Sequence, residues 1–108
     1  MSRAIPGTLD CEAMALLSEQ EIERRLTALP AWRRSEQDHT IVSERALADF
    51  AAALAFVNAV GGAAEAANHH PDILLHGWNK VRLTLSTHSE GGLTEADFAL
   101  ASAIEGLA

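Results

Sequence analysis

The stretch NHHPDILLHGWNKVRLTLS, residues Asn68–Ser86, decides the fold. In its second half Val81, Leu83 and Leu85 alternate with Lys80, Arg82, Thr84 and Ser86. A period of two is that of a strand with one dry face and one wet face. Residues 73–86 therefore read as β structure, broken near Gly77. Pro71 disfavours a helical backbone at the residue before it. Any preceding helix thus ends at His69-His70, and the two imidazoles, at a handover from helix to strand, should point in different directions.

Upstream, residues 47–68 read as one long helix. Leu47, Phe50, Leu54, Val57 and Gly61 lie along one side, while Phe56, Val60 and Ala63 are apolar outside that stripe. A helix apolar on several sides is usually covered by more than its own small sheet, and a subunit interface is the natural cover. Gly61-Gly62 costs about 1 kcal/mol per glycine relative to alanine. Either the helix bends there or a neighbouring backbone needs the room; the reading keeps the helix continuous.

Further upstream, residues 32–35 and 40–44 read as two short strands around a polar turn, Glu36–His39. Residues 18–29 read as a helix. Ser18 and Glu21 suit a capping box, Ile22, Leu26 and Leu29 form one stripe, and Pro30 stops it. Downstream, residues 94–107 form the closing helix. Thr94 and Asp97 make a second capping box, Leu93 and Phe98 the matching staple, and Leu100, Ile104 and Leu107 the buried stripe.

The order α-β-β-α-β(β)-α contains no repeated βαβ unit. It predicts an α+β fold, an antiparallel sheet of three to four strands with helices packed on one face. Residues 1–17 read as a loosely attached leader and residues 18–108 as a single domain.

Composition bounds the function. The chain has 108 residues, 48% of them hydrophobic, which is too apolar for a disordered acidic tail. Fifteen acidic against eight basic residues give a net charge of −7. That balance argues against binding nucleic acid through its phosphates. Cys11 is the single cysteine, which excludes an internal disulfide and a multi-cysteine zinc motif. No apolar run approaches the roughly 18–20 residues of a membrane span, and residues 1–17 make a poor signal peptide. The expectation is a cytoplasmic protein without membrane contact.

Histidine performs acid and base chemistry near neutral pH, and His69, His70 and His88 stand at ends of elements that a common cleft would unite. Glu65 lies one helical turn before His69. Blander readings exist for each residue. A histidine pair in a loop is more often solvated surface, and His39 and His76 are read that way. Capping explains Asp97, an exposed helix position explains Glu65, and Trp32 and Trp78 suit a core. Adjacent histidines rarely converge on one ion, and the chain has no HExxH spacing. Nucleophile-elbow and phosphate-loop patterns are also missing. Spacing alone stops at a small α+β protein with a histidine site.

The pattern Glu65-x-x-x-His69-His70-Pro71, then Trp78, His88 and Asp97, resembles the signature of the pterin-4a-carbinolamine dehydratases. Asn79–His88 is similar to the strand that carries that family's third histidine. Gly92-Leu93-Thr94 and Leu100-Ala101-Ser102 resemble its ending, so the likeness runs from about Leu26 to Leu107.

The resemblance implies an antiparallel sheet with helices on one side. It also implies a carbon–oxygen lyase, a 4a-hydroxytetrahydrobiopterin dehydratase that forms quinonoid dihydropterin and so recycles the cofactor of aromatic amino acid hydroxylases. The three catalytic histidines then map onto His69, His70 and His88, the acidic positions onto Glu65 and Asp97, and the aromatic position onto Trp78. One of His70 and His88 would be the acid and the other the base, with His69 orienting the pterin. Glu65 and Asp97 would hold imidazole tautomers, and Ser86 or Thr87 would bond the pterin's polar edge. No metal or organic cofactor is implied, since the pterin is the substrate. A homodimer or homotetramer is implied, with an aromatic amino acid hydroxylase as a partner.

The chain departs from the family at Asn68, where well-known members carry aspartate, and at Ala96, where some carry arginine. It also has one more residue between Pro71 and Trp78 than animal members. Some relatives act as transcriptional dimerisation cofactors or as assembly factors, which makes a binding-only role the alternative. Another pterin, such as one made on the way to molybdenum cofactor, is a further candidate substrate.

Overall fold

Asn68 closes the long helix in a left-handed conformation (φ 52°, ψ 43°), its N–H donating back to Ala64 and Glu65 carbonyls. Asparagine is among the few residues that adopt this backbone readily. Pro71 then carries the chain into the sheet. The computed structural model describes residues 15–35 and 39–107. Among them the elements are α1 (Glu19–Thr27), β1 (Arg33–Arg34), β2 (Ile41–Ala46), α2 (Phe50–Ala67), β3 (Asp72–His76), β4 (Lys80–Leu85), a 3₁₀ turn (His88–Glu90) and α3 (Glu95–Glu105).

The sheet has four antiparallel strands in the order β1-β2-β4-β3. This is the α+β fold expected from the sequence, with the ambiguous third segment resolved as two strands. The central strand β4 pairs Ile73 with Leu83 on one side and Ser43 with Leu83 on the other. Val81, Leu83 and Leu85 are fully buried, as the alternation predicts. Ile41, Phe56, Val60, Phe98, Leu100 and Ile104 join them in one core between the sheet and the helices. The predicted turn Glu36–His39 falls largely outside the described residues. Ser35 N–H donates to the Thr40 carbonyl at 3.1 Å across it. At the other end of the chain, Leu16 bridges to Thr94, and Leu17 N–H donates to the Leu93 carbonyl at 3.0 Å.

Helix α2 is continuous through Gly61-Gly62, but its core face differs from the expected stripe. Ala53, Phe56, Val60 and Ala64 are buried, whereas Phe50 is 49% exposed and Leu54 43%. Two of these four inner-face residues are alanines, while Phe50 and Leu54 face outward. The helix spans 18 residues at mean hydropathy 1.5, enough for a membrane span by length and composition, contrary to the sequence expectation. Its buried face nevertheless packs on β3, β4 and α3.

Two capping expectations divide. Thr94 and Asp97 form the full reciprocal box. At α1 only half forms: Ser18 Oγ accepts from Glu21 N–H, while the Glu21 carboxylate turns to Arg24 and Arg25. Trp32 is buried as expected, its Nε1 donating to Glu105 at 2.9 Å. Trp78 is not core: it is 61% exposed and adopts φ 61° in the β3–β4 turn. A bulky residue rarely takes that backbone. Asn79 pins the turn by a mutual hydrogen-bond pair with the backbone of Leu47.

Candidate active site

The two histidines of the pair diverge, as the proline argument requires, and each meets its own carboxylate. His69 Nε2 lies 2.6 Å from Asp97 Oδ1. His70 Nε2 lies 2.6 Å from Glu65 Oε2. Their environments are opposites. The His69 side chain is 12% exposed and Asp97 is fully buried, whereas His70 is 56% exposed and Glu65 78%. Water screens the outer pair, whereas the inner pair is shut away from it. An ionised carboxylate only accepts hydrogen bonds, so each neutral imidazole carries its proton on Nε2 and keeps Nδ1 as its lone-pair nitrogen.

Asp97 is the hub of the buried side. Its Oδ2 accepts from Thr94 N–H at 2.9 Å and from Thr87 Oγ1 at 2.8 Å, while Oδ1 faces His69. Capping and histidine pairing are thus done by the same side chain, through different oxygens. Thr87 sits at the exit of β4 and is 1% exposed, with its hydroxyl engaged by Asp97 and Thr94. Ser86, next to it, is partly exposed.

His88 opens the 3₁₀ turn and is exposed. Among the described residues its imidazole has no hydrogen-bond or ion-pair partner. Thr87 anchors this turn too: its N–H donates to the Gly92 carbonyl, and its own carbonyl accepts from Glu90 and Gly91. Gly91, at φ 72°, closes the turn in the left-handed region. Antiparallel pairing of β3 with β4 brings the residues around Asp72 to those around Thr84. His69, His70 and His88 therefore gather at the open end of this hairpin, together with Glu65, Asn68, Thr87 and Asp97.

Trp78 lies at the other end of the same hairpin, next to the pair His76–Lys80. Five residues of strand put it about 13 Å or more from the histidines within one chain. His76, a surface position by the sequence pattern, has an Nε2 that is enclosed and has no partner among the described residues. Two recesses, of about 580 Å³ beside Leu47, Phe56 and Leu107 and about 370 Å³ between α1 and α3, contain no histidine. Among the described residues, no three His, Cys, Asp or Glu side chains gather as a metal ligand set.

The site thus defines a class by its geometry: a small α+β sheet that presents two carboxylate-paired imidazoles and an exposed one, unpaired among the described residues, at one end. The sequence profile of the pterin 4 alpha carbinolamine dehydratase family matches residues 15–107, and the chain belongs to that family. It is 52% identical over 94 residues to a protein of Acidobacterium capsulatum provisionally named pterin-4-alpha-carbinolamine dehydratase, covering 87% of this chain and 99% of that one. A protein of Chloroflexus aggregans with the same provisional name is 53% identical over 92 residues, covering 85% and 96%. Among solved structures, the transcriptional coactivator/pterin dehydratase of Brucella melitensis superposes with a TM-score of 0.81 at 33% identity, covering 87% of this chain and 99% of that one. A pterin dehydratase-like protein described as a RuBisCO assembly factor in the alpha-carboxysome superposes at 0.61 with 27% identity, covering 71% and 88%.

Proposed function

We propose that this chain dehydrates 4a-hydroxytetrahydropterin to quinonoid dihydropterin by histidine acid and base catalysis. The C4a–O bond breaks as an acid protonates the hydroxyl, which leaves as water. A base takes the N5 proton, and the N5–C4a double bond forms. No electrons are transferred, so the reaction needs no metal or organic cofactor. The observation that supports this reading is the pairing of His69 with Asp97 and of His70 with Glu65, with His88 exposed beside them. His70 and His88 are the accessible imidazoles and take the acid and base roles. His69, held by a buried carboxylate, orients the pterin. Such acid and base groups each contribute about 10²–10⁴-fold.

The exposed Phe50, Leu54 and neighbouring Val57 on α2 support a homodimer or homotetramer. Trp78 contributes to a pterin site only as a residue brought from another copy of the chain, given its place in the hairpin. The physiological partner on this reading is an aromatic amino acid hydroxylase, and the compartment is the cytoplasm.

The coactivator and assembly-factor relatives carry a second reading, in which the chain acts by binding protein. The test is the dehydration rate of enzymatically generated 4a-hydroxytetrahydropterin. Acceleration by wild type that His70→Ala and His88→Ala each cut at least about tenfold supports the dehydratase. No acceleration by folded wild type moves the protein to the binding class.

A further inference from the structure

We infer that Thr87 is a positioning residue that sets the orientation and tautomer of His69 through Asp97 and, by its backbone, holds His88 in register with it. The inference rests on the dehydratase reading for its kinetic consequence, but not for its structural one. The Thr87 hydroxyl has a single proton, and it goes to Asp97 Oδ2 at 2.8 Å, because a carboxylate only accepts. At the 2.8 Å contact with Thr94 Oγ1, Thr87 must then be the acceptor. Thr94 Oγ1 in turn accepts from Ala96 N–H at 3.2 Å. The direction of every hydrogen bond is fixed: Ala96 N–H to Thr94, Thr94 to Thr87, Thr87 to Asp97 Oδ2, and His69 Nε2–H to Asp97 Oδ1.

Thr87, Thr94 and Asp97 are all buried, so water cannot replace a lost member without a cavity to hold it. Without the Thr87 proton, Oδ2 keeps only the Thr94 N–H, and the carboxylate can rotate about its bond to Cβ. Rotation moves Oδ1 off the His69 ring and releases its tautomer. The same residue's N–H and C=O fasten the turn that carries His88. Residue 87 therefore ties the inner imidazole to the outer one across two elements. Its hydroxyl, engaged on both sides by protein, acts on the pterin through His69 rather than by contact.

The test compares Thr87→Val, which keeps the shape and removes the hydroxyl, with Thr87→Ser, which keeps the hydroxyl. Two readouts are taken: kcat and KM for dehydration, and the His69 tautomer from ring ¹⁵N chemical shifts. Thr87→Val is expected to lower kcat about tenfold with KM little changed, and to convert His69 from one Nε2–H form to a mixture. Thr87→Ser restores both. If Thr87→Val does not fold, Thr87→Cys, a weak donor of similar size, is read the same way. A Thr87→Val protein that keeps the wild-type His69 tautomer overturns the inference, as does one that raises KM at constant kcat. If wild type has no dehydratase activity, the functional reading fails alone, because the tautomer measurement still decides the role of Thr87.

Discussion

Asp97 Oδ1 meets His69 Nε2 at 2.6 Å across 28 residues of sequence, joining the start of α3 to the end of α2. The carboxylate serves both as the N-terminal lock of a helix and as the partner of an imidazole. Asp97→Asn keeps the shape but presents an amide donor to at least one existing donor. It should destabilise the fold by about 1–3 kcal/mol, the cost of a buried polar group left mispaired. Dehydration should fall about tenfold or more. Urea unfolding and the dehydration assay, run on one preparation, check both.

His70→Ala and His88→Ala should separate activity from stability. Both side chains are exposed, and changes at such positions usually stay within about 0.5 kcal/mol. Each variant should unfold near the wild-type midpoint and lose at least about tenfold in rate. A large drop in midpoint would show that the imidazole is structural. Glu65→Gln should have a smaller effect on rate than Asp97→Asn, since its pair is solvated on both sides.

The two faces of α2 predict opposite outcomes for apolar substitutions. Leu54→Glu, on the outer face, should leave the monomer folded and shift light scattering to the 11.5 kDa of a single chain. Wild type should scatter as a dimer or tetramer. Leu83→Ala, at the fully buried centre of β4, should instead cost about 2–5 kcal/mol. Wild type that already scatters as a monomer would remove the interface argument.

Gly91→Ala places a side chain at φ 72°, where no neighbour crowds the added carbon. The backbone alone resists it, at about 1–2 kcal/mol. Because this residue closes the turn that presents His88, the activity loss should exceed the stability loss. Parallel measurement of melting temperature and rate decides it.

Glu21 gives a prediction for acid pH. Hydrogen bonds from Arg24 and then Arg25 hold its carboxyl at about 2, below its usual 4.5. A folded-state value below the unfolded one means that the charged form is favoured by folding. The stabilisation of α1 is therefore complete above about pH 4.5 and is lost as pH falls through about 2. The carboxyl ¹³C shift of Glu21 should titrate near that lower value, and salt should raise it toward normal.

Much of this was readable in the sequence where period and chemistry agree. Alternation in residues 80–86 located β4, Pro71 located the end of α2, and Thr94-x-x-Asp97 located the start of α3. The inner face of α2 was not readable, because alanines carry it. Ala53 and Ala64 contribute little to a hydrophobic stripe, yet they are buried on the same face as Phe56 and Val60. The pairing of carboxylates was only half visible. Glu65 lies one helical turn before His69 in sequence, but Asn68 turns the backbone into the left-handed region, and Glu65 pairs with His70 instead. Asp97 looked fully explained by its cap, because sequence shows one role at a time while a carboxylate has two oxygens. Trp78 suggested a core by its size; a turn with positive φ at both Gly77 and Trp78 turns it outward, which residue type does not foretell.

The hairpin of β3 and β4 carries the candidate groups at its open end, and every one of them falls between Glu65 and Asp97. The N-terminal half, by contrast, contributes Ile22, Leu29, Trp32 and Ile41 to the core and, among the described residues, no hydrogen-bond partner to His69 or His70. On the dehydratase reading the second half answers to both chemistry and stability, since it also holds most of the core, from Phe56 and Val60 to Leu83, Leu100 and Ile104, while the first half answers to stability alone. The first half is free to diverge as long as it stays apolar in the right places, while the second carries its chemistry as a contiguous, heritable block.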